Sequence, residues 1–244
     1  MNALINVARY HLVNRVNYLA IPWLWLGFAF VADLVIFAMI PVSHHLVPTA
    51  HGIVQVQNTS GRYAGGLAAI VLIFLVLGVQ SVSKSLPFAL ALGVSRRTYY
   101  TGTALLAVTL AVGYGLVLTA AQAIERATNG WGLSTHIFRV PYILNGPWYL
   151  TWLTTSVVLA LLFVYGMWIG IIYKRWNLIG VLTFVAAEVI VLLVPALLIS
   201  WSHSWAGIGH FFTALSAAGL TGVLAALAAA LLAGGYATIR RVTI

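Results

Sequence analysis

Six long apolar stretches follow one another through a chain of 244 residues, and the basic residues gather on alternate connections between them. The stretches lie at about 18–40, 64–82, 98–121, 149–173, 178–200 and 212–236. Each reaches the roughly 20 residues that a helix needs to cross a hydrocarbon core. Backbone polar groups in hydrocarbon must be satisfied within the chain, so such stretches fold as helices. Little sequence is left for a second domain. The expected fold class is therefore an all-α, polytopic membrane protein of six spans.

Composition excludes the main alternative. Hydrophobic residues make up 62% of the chain and charged residues 6%, too few to solvate a water-soluble surface. With only Asp33, Glu125 and Glu188 as acids, the net charge of +9 reads as topology signals and contacts to anionic lipid. Nucleic-acid binding would need clustered basic residues with interleaved aromatics on a soluble fold, and no segment offers them. The absence of cysteine removes disulfides, thiol catalysis and cysteine metal sites.

Orientation follows from Lys and Arg, which are retained on the cytoplasmic side. With the N-terminus inside, Arg9, Arg15, Lys84, Arg96, Arg97, Lys174, Arg175, Arg240 and Arg241 are cytoplasmic, against Arg62, Arg126 and Arg139 outside. Both termini are thus expected in the cytoplasm. The first stretch runs well beyond the about 7–15 residues of a signal-peptide core, so it is expected to be retained as a span. Residues 1–17 put Leu4, Ile5, Ala8, Leu12 and Val16 on one stripe and Asn2, Asn6 and Arg9 largely on another face. That pattern suits a cytoplasmic interface helix, with a frayed tail as the alternative.

Outside, residues 41–63 are expected to form a small ordered loop and 122–148 a series of turns marked by Gly130-Trp131-Gly132, Pro141 and Pro147. Trp131, Trp148, Trp152, Trp201 and Trp205 on that side and Trp176 on the other suit an aromatic belt at headgroup depth. Gly61/Gly65 and Gly166/Gly170 have the spacing that lets helix backbones approach closely, more simply within the chain than between copies.

The most informative connection joins the second and third stretches. Leu86, Phe88, Ala89, Leu90 and Leu92 form an apolar run too short to span, followed by Gly93 and by Arg96-Arg97. A short cytoplasmic helix ending at Gly93, with an apolar face for something other than water, fits this run. A basic loop that only sets topology is the alternative.

The phrase PFALALGVSRRTYYTGTALL, beginning at Pro87, strongly resembles the region after the second helix in permease subunits of bacterial type-2 ABC exporters. The specific motif covers about 87–102, and the six-span order resembles the family over essentially the whole chain. The resemblance implies domains at 1–17 (interface helix) and 18–244 (transmembrane domain). It implies a coupling helix at 84–97, with Leu86, Phe88, Leu90, Gly93, Arg96 and Arg97 engaging a cytoplasmic ATPase, and a short external re-entrant segment at 200–211 following Pro195. It further implies a bacterial inner-membrane location, two separate ATPase subunits, and a second permease copy or homologue with the substrate path between the two. The implied activity is export of a lipophilic, drug-like or peptide substrate by alternating access.

No phosphate-binding G-x-x-x-x-G-K-[ST] loop occurs, so ATP and Mg are expected on the partner and neither a catalytic residue nor a cofactor site on this chain. No metal site is expected. His44, His45, His51, His203 and His210 have no spacing that fixes a metal geometry.

Asp33 and Glu188 fall inside apolar stretches, where a carboxylate is costly and faces a wet cavity, pairs, or is protonated. For Glu188 three roles stay open: contact with a cationic substrate group, an interhelical hydrogen bond, or a neutral acid. Asp33 is equally open, and both are candidates for the substrate path. Glu125-Arg126 reads most simply as a surface pair ending the third span. Two other function classes remain: an ion-coupled secondary transporter using Asp33 and Glu188, and a non-transporting scaffold or immunity protein. The first predicts paired broken helices in an internal repeat, which the sequence does not display.

Overall fold

The computed structural model describes residues 18, 20–39, 43–49, 52–58, 66–134, 136–138, 147–202, 205, 207 and 216–239. The helices are α1 (Ile21–Met39), α2 (Gly66–Ser83), α3 (Ser85–Ala91), α4 (Arg96–Ala127), α5 (Trp148–Trp201) and α6 (Ala217–Ile239). All but α3 are long and apolar enough to cross a membrane. Asn177 breaks α5 with φ 55° and ψ −155°, so the 54-residue element turns back on itself and supplies two spans, at 148–176 and 178–201. Six spans result, close to the expected limits. The interface helix expected at 1–17 and most of the re-entrant segment at 200–211 lie outside the described residues, as do Gly61 and Gly65.

Two boundaries differ from expectation. Between α1 and α2, residues expected to form only a small loop pair as an antiparallel hairpin, β1 (Ser43–Thr49) with β2 (Gly52–Asn58), in register from Ser43 opposite Asn58 to Thr49 opposite Gly52. α4 continues to Ala127, past the expected limit at 121. Pro195 lies inside its span, as the expected limits of 178–200 imply. The helix runs on to Trp201, because losing one backbone hydrogen bond is tolerated when the rest of the ladder holds.

Lipid tails are as apolar as Leu, so the bundle is held by close packing and polar bonds between helices. The closest approach is α2 against the first arm of α5. A Cβ on Gly78 would meet the Phe163 carbonyl and, at 3.0 Å, the Gly166 Cα, while one on Gly166 would meet the Leu75 carbonyl. A Cβ on Gly170 would lie 2.9 Å from the Val79 carbonyl. Gly166/Gly170 thus serve packing within the chain. Around this seam Phe74 sits edge-on to Tyr114 (5.3 Å) and Phe163 (6.5 Å), with Ile70, Met167 and Ile171 buried beside them. Trp23 of α1 stacks on Tyr114 at 5.0 Å.

α6 is tied in by donors from two other helices. Tyr100 Oη donates to the Leu232 carbonyl (2.9 Å) and Trp168 Nε1 to the Leu231 carbonyl (2.7 Å). Gly234 and Gly235 admit them, since a Cβ on either would strike the Trp168 ring or the Tyr100 hydroxyl. Thr154 and Thr221 add a hydroxyl contact at 2.6 Å between α5 and α6.

Candidate functional site

α3 is the short helix expected between the second and third spans. Its end is a complete left-handed cap: Gly93 takes φ 80°, its N–H donates to the Leu90 carbonyl (3.0 Å), and the Val94 N–H donates to the Ala89 carbonyl (3.0 Å). Ser95 then starts the next helix, its Oγ accepting from the Thr98 N–H at 3.2 Å. The expected coupling segment 84–97 is therefore not one helix. It is a seven-residue helix, a glycine turn and the first turn of α4, with Arg96 and Arg97 opening α4.

The faces of α3 divide the expected site residues. Leu86 (1% exposed) and Ala89 are buried in the bundle core, and Leu90 packs against it, so Leu86 offers nothing to a partner. Phe88 and Leu92 are each 67% exposed. Arg97, five residues beyond Leu92, is exposed and Arg96 half-buried. Two cations in the first turn of a helix sit at the positive end of its dipole, where they cost helix stability. Helix stability therefore does not account for their place.

Two tyrosines in the first turns of α4 connect this segment to the spans. Tyr99, fully buried, donates its hydroxyl to the Ser81 carbonyl at the end of α2, and Tyr100 donates to Leu232 of α6. The start of α4, one glycine turn beyond α3, is thus bonded to α2 through Tyr99 and to α6 through Tyr100. Sequence reading did not single out this pair, although both lie within the motif.

Glu188 has a partner that the sequence did not reveal. Tyr165 on the first arm of α5 donates its hydroxyl to Glu188 Oε2 on the second, and the Tyr165 ring lies 6.4 Å from Phe184. The two residues stand almost equally far from the Asn177 turn, about 17 Å along the helices, near mid-depth of the bilayer. This is the interhelical bond among the three roles open to Glu188. Asp33, half-buried on α1, is not brought to Glu188 by any contact described.

Glu125 corrects the sequence reading. Far from being a surface residue, it is 2% exposed, and its Oε2 accepts from the backbone N–H groups of Ile137 (3.0 Å) and Phe138 (2.8 Å). The connection after α4 thus folds back onto the last turns of the helix, which runs to Ala127. Among the described residues, no group of three or more His, Asp or Glu is placed to hold a metal.

These features define a polytopic, helical membrane protein. Comparison with protein-family models, with curated proteins and with solved structures finds no match.

Proposed function

We propose that the chain is the permease subunit of an ATP-driven exporter built as in type-2 ABC exporters. One observation carries the reading: a capped helix, α3, too short to span, leaves Phe88 and Leu92 exposed, with exposed Arg97 following in sequence, while its other face is buried in the bundle. An exposed apolar pair flanked by fixed cations is complementary to an apolar cleft with an acidic rim. Two ATPase subunits, holding the ATP and Mg, would receive α3, and their closure would pass through Tyr99 and Tyr100 to α2 and α6.

The second arm of α5 supports a second permease copy. Leu182, Ile190, Val191, Leu192 and Leu197 are all exposed on it, and it carries Glu188 at mid-depth, where a carboxylate is better covered by protein than by lipid. The substrate path then runs between the copies. In this reading the chain lies in a bacterial inner membrane with both termini in the cytoplasm, and its substrate is lipophilic, drug-like or a peptide.

Purifying the tagged chain from its own membrane tests this. An ATPase should accompany it, and Arg96→Glu with Arg97→Glu should abolish stimulation of that ATPase while leaving the chain inserted. Normal complex recovery and normal substrate-stimulated ATP turnover in the double variant would overturn the coupling role.

A further inference from the structure

The hairpin between α1 and α2 has two unlike edges. Its register sets Pro48 of β1 opposite Ile53 of β2. Proline has no N–H to give a ladder, so this pair is of the kind whose backbone polar groups point away from each other. The two kinds of pair alternate along an antiparallel ladder. Leu46 opposite Gln55 and His44 opposite Gln57 are therefore of the same kind. The outer edge of β1 is made by His44, Leu46 and Pro48, and that of β2 by Ile53, Gln55 and Gln57.

Pro48 blunts β1, because an edge that lacks a donor is guarded against pairing. β2 has no such guard. Gly52–Asn58 reads GIVQVQN, with neither a proline nor a charged residue. Among the described residues the sheet has two strands, nothing pairs with the outer edge of β2, and neither strand packs substantially on a helix. A lone two-stranded hairpin is at best marginally stable in water, and further strands would supply what it lacks.

We propose that β2 pairs antiparallel with β2 of a second copy, making one four-stranded sheet across the two-fold axis of a dimer. The proposal rests on the second copy inferred above and gives it a contact outside the helical bundle. The occupant follows from the edge itself. A two-fold axis at Gln55 sets Gln55 of one copy against Gln55 of the other, and Ile53 against Gln57. Every outward N–H and C=O of the three residues then finds a partner. β1 paired in the same way would set His44 against Pro48 and lose a hydrogen bond at each end. Pairing through β2 also brings no like charges face to face, in a chain whose net charge is +9.

Disulfide crosslinking of the full chain in its own membrane tests the pairing, since the chain contains no cysteine. Opposed residues in such a pair have Cα atoms about 5.5 Å apart, within reach of a disulfide. Gln55→Cys should therefore give, on mild oxidation, a covalent species of twice the chain's mass. Ile53→Cys alone should give at least about tenfold less, because the two copies of position 53 stand about 14 Å apart along the paired strands. Ile53→Cys with Gln57→Cys should restore the crosslink. Adding Gln55→Pro, which spares the β1 ladder as Pro48 does, should remove it again. Equal crosslinking from positions 53 and 55, a crosslink that survives Gln55→Pro, or adducts of residue 55 with other polypeptides would overturn the strand pairing. The mass of the unoxidised complex in nanodiscs separates this failure from that of the underlying reading. A dimer that does not crosslink at position 55 overturns the pairing and leaves the second copy standing, whereas a monomer overturns both.

Discussion

Tyr165 and Glu188 are bonded across the two arms of a helix that reverses at a single residue, Asn177. In water such a bond would add little, but at mid-depth neither group has solvent to fall back on. Glu188→Gln retains an oxygen to accept from Tyr165, so thermal stability should fall by less than about 1 kcal/mol. Glu188→Leu strands the tyrosine hydroxyl and should cost about 1–3 kcal/mol. If Glu188 also meets substrate, Glu188→Gln should weaken transport of cationic substrates and spare neutral ones. Equal loss for both, with a lower melting temperature, would assign it to packing alone.

The Gly78–Gly166 seam should tolerate no side chain. Gly166→Leu drives four carbons toward the Leu75 carbonyl and should cost about 3 kcal/mol or prevent folding, read as loss of a monodisperse peak and of the thermal transition. Gly113→Ala, where nothing lies within 4 Å of the new Cβ, should leave the melting temperature unchanged or raise it.

Tyr100 and Trp168 each give α6 one carbonyl bond, at Leu232 and Leu231. Tyr100→Phe should lower stability by only about 0.5–1.5 kcal/mol. In the transport reading it should lower ATP-driven transport by a larger factor than it lowers ATP turnover, because the contact that carries motion from α3 to α6 is lost. An equal fall in both would make Tyr100 a packing residue.

Topology is checked by labelling single cysteines placed in this cysteine-free chain. Ser95→Cys and Thr243→Cys should react only from the cytoplasm, and Thr49→Cys, Ser134→Cys and Ser204→Cys from outside. Reaction of the residue-95 probe from outside in intact cells would remove α3 from the reach of any cytoplasmic ATPase.

The spans were legible because length and hydropathy alone decide them in a membrane. α3 was legible in type and in its glycine end, since Gly93 marks a left-handed cap wherever a short apolar run precedes it. Which face of α3 looked outward was not, and Leu86 and Phe88 looked alike until packing separated them. Glu125 was misread because its partners are backbone amides twelve and thirteen residues away, and an amide carries no mark in the sequence. The nearest signal was the glycine-rich turn after it, which brings the chain back. Tyr165 was missed because pairing it with Glu188 requires knowing that the reversal falls at Asn177. The β-hairpin was hidden by its His, Pro and Gln content, which reads as loop.

What touches Phe88 decides whether α3 is a contact to an ATPase. A photoreactive amino acid at position 88, activated in native membranes, should give a covalent adduct with a polypeptide that carries a phosphate-binding loop and hydrolyses ATP. The same probe at position 86, buried in the bundle core, should give none. Adducts from position 88 with lipid only, in membranes where the chain is active and folded, would contradict the assignment of α3 as the contact to an ATPase.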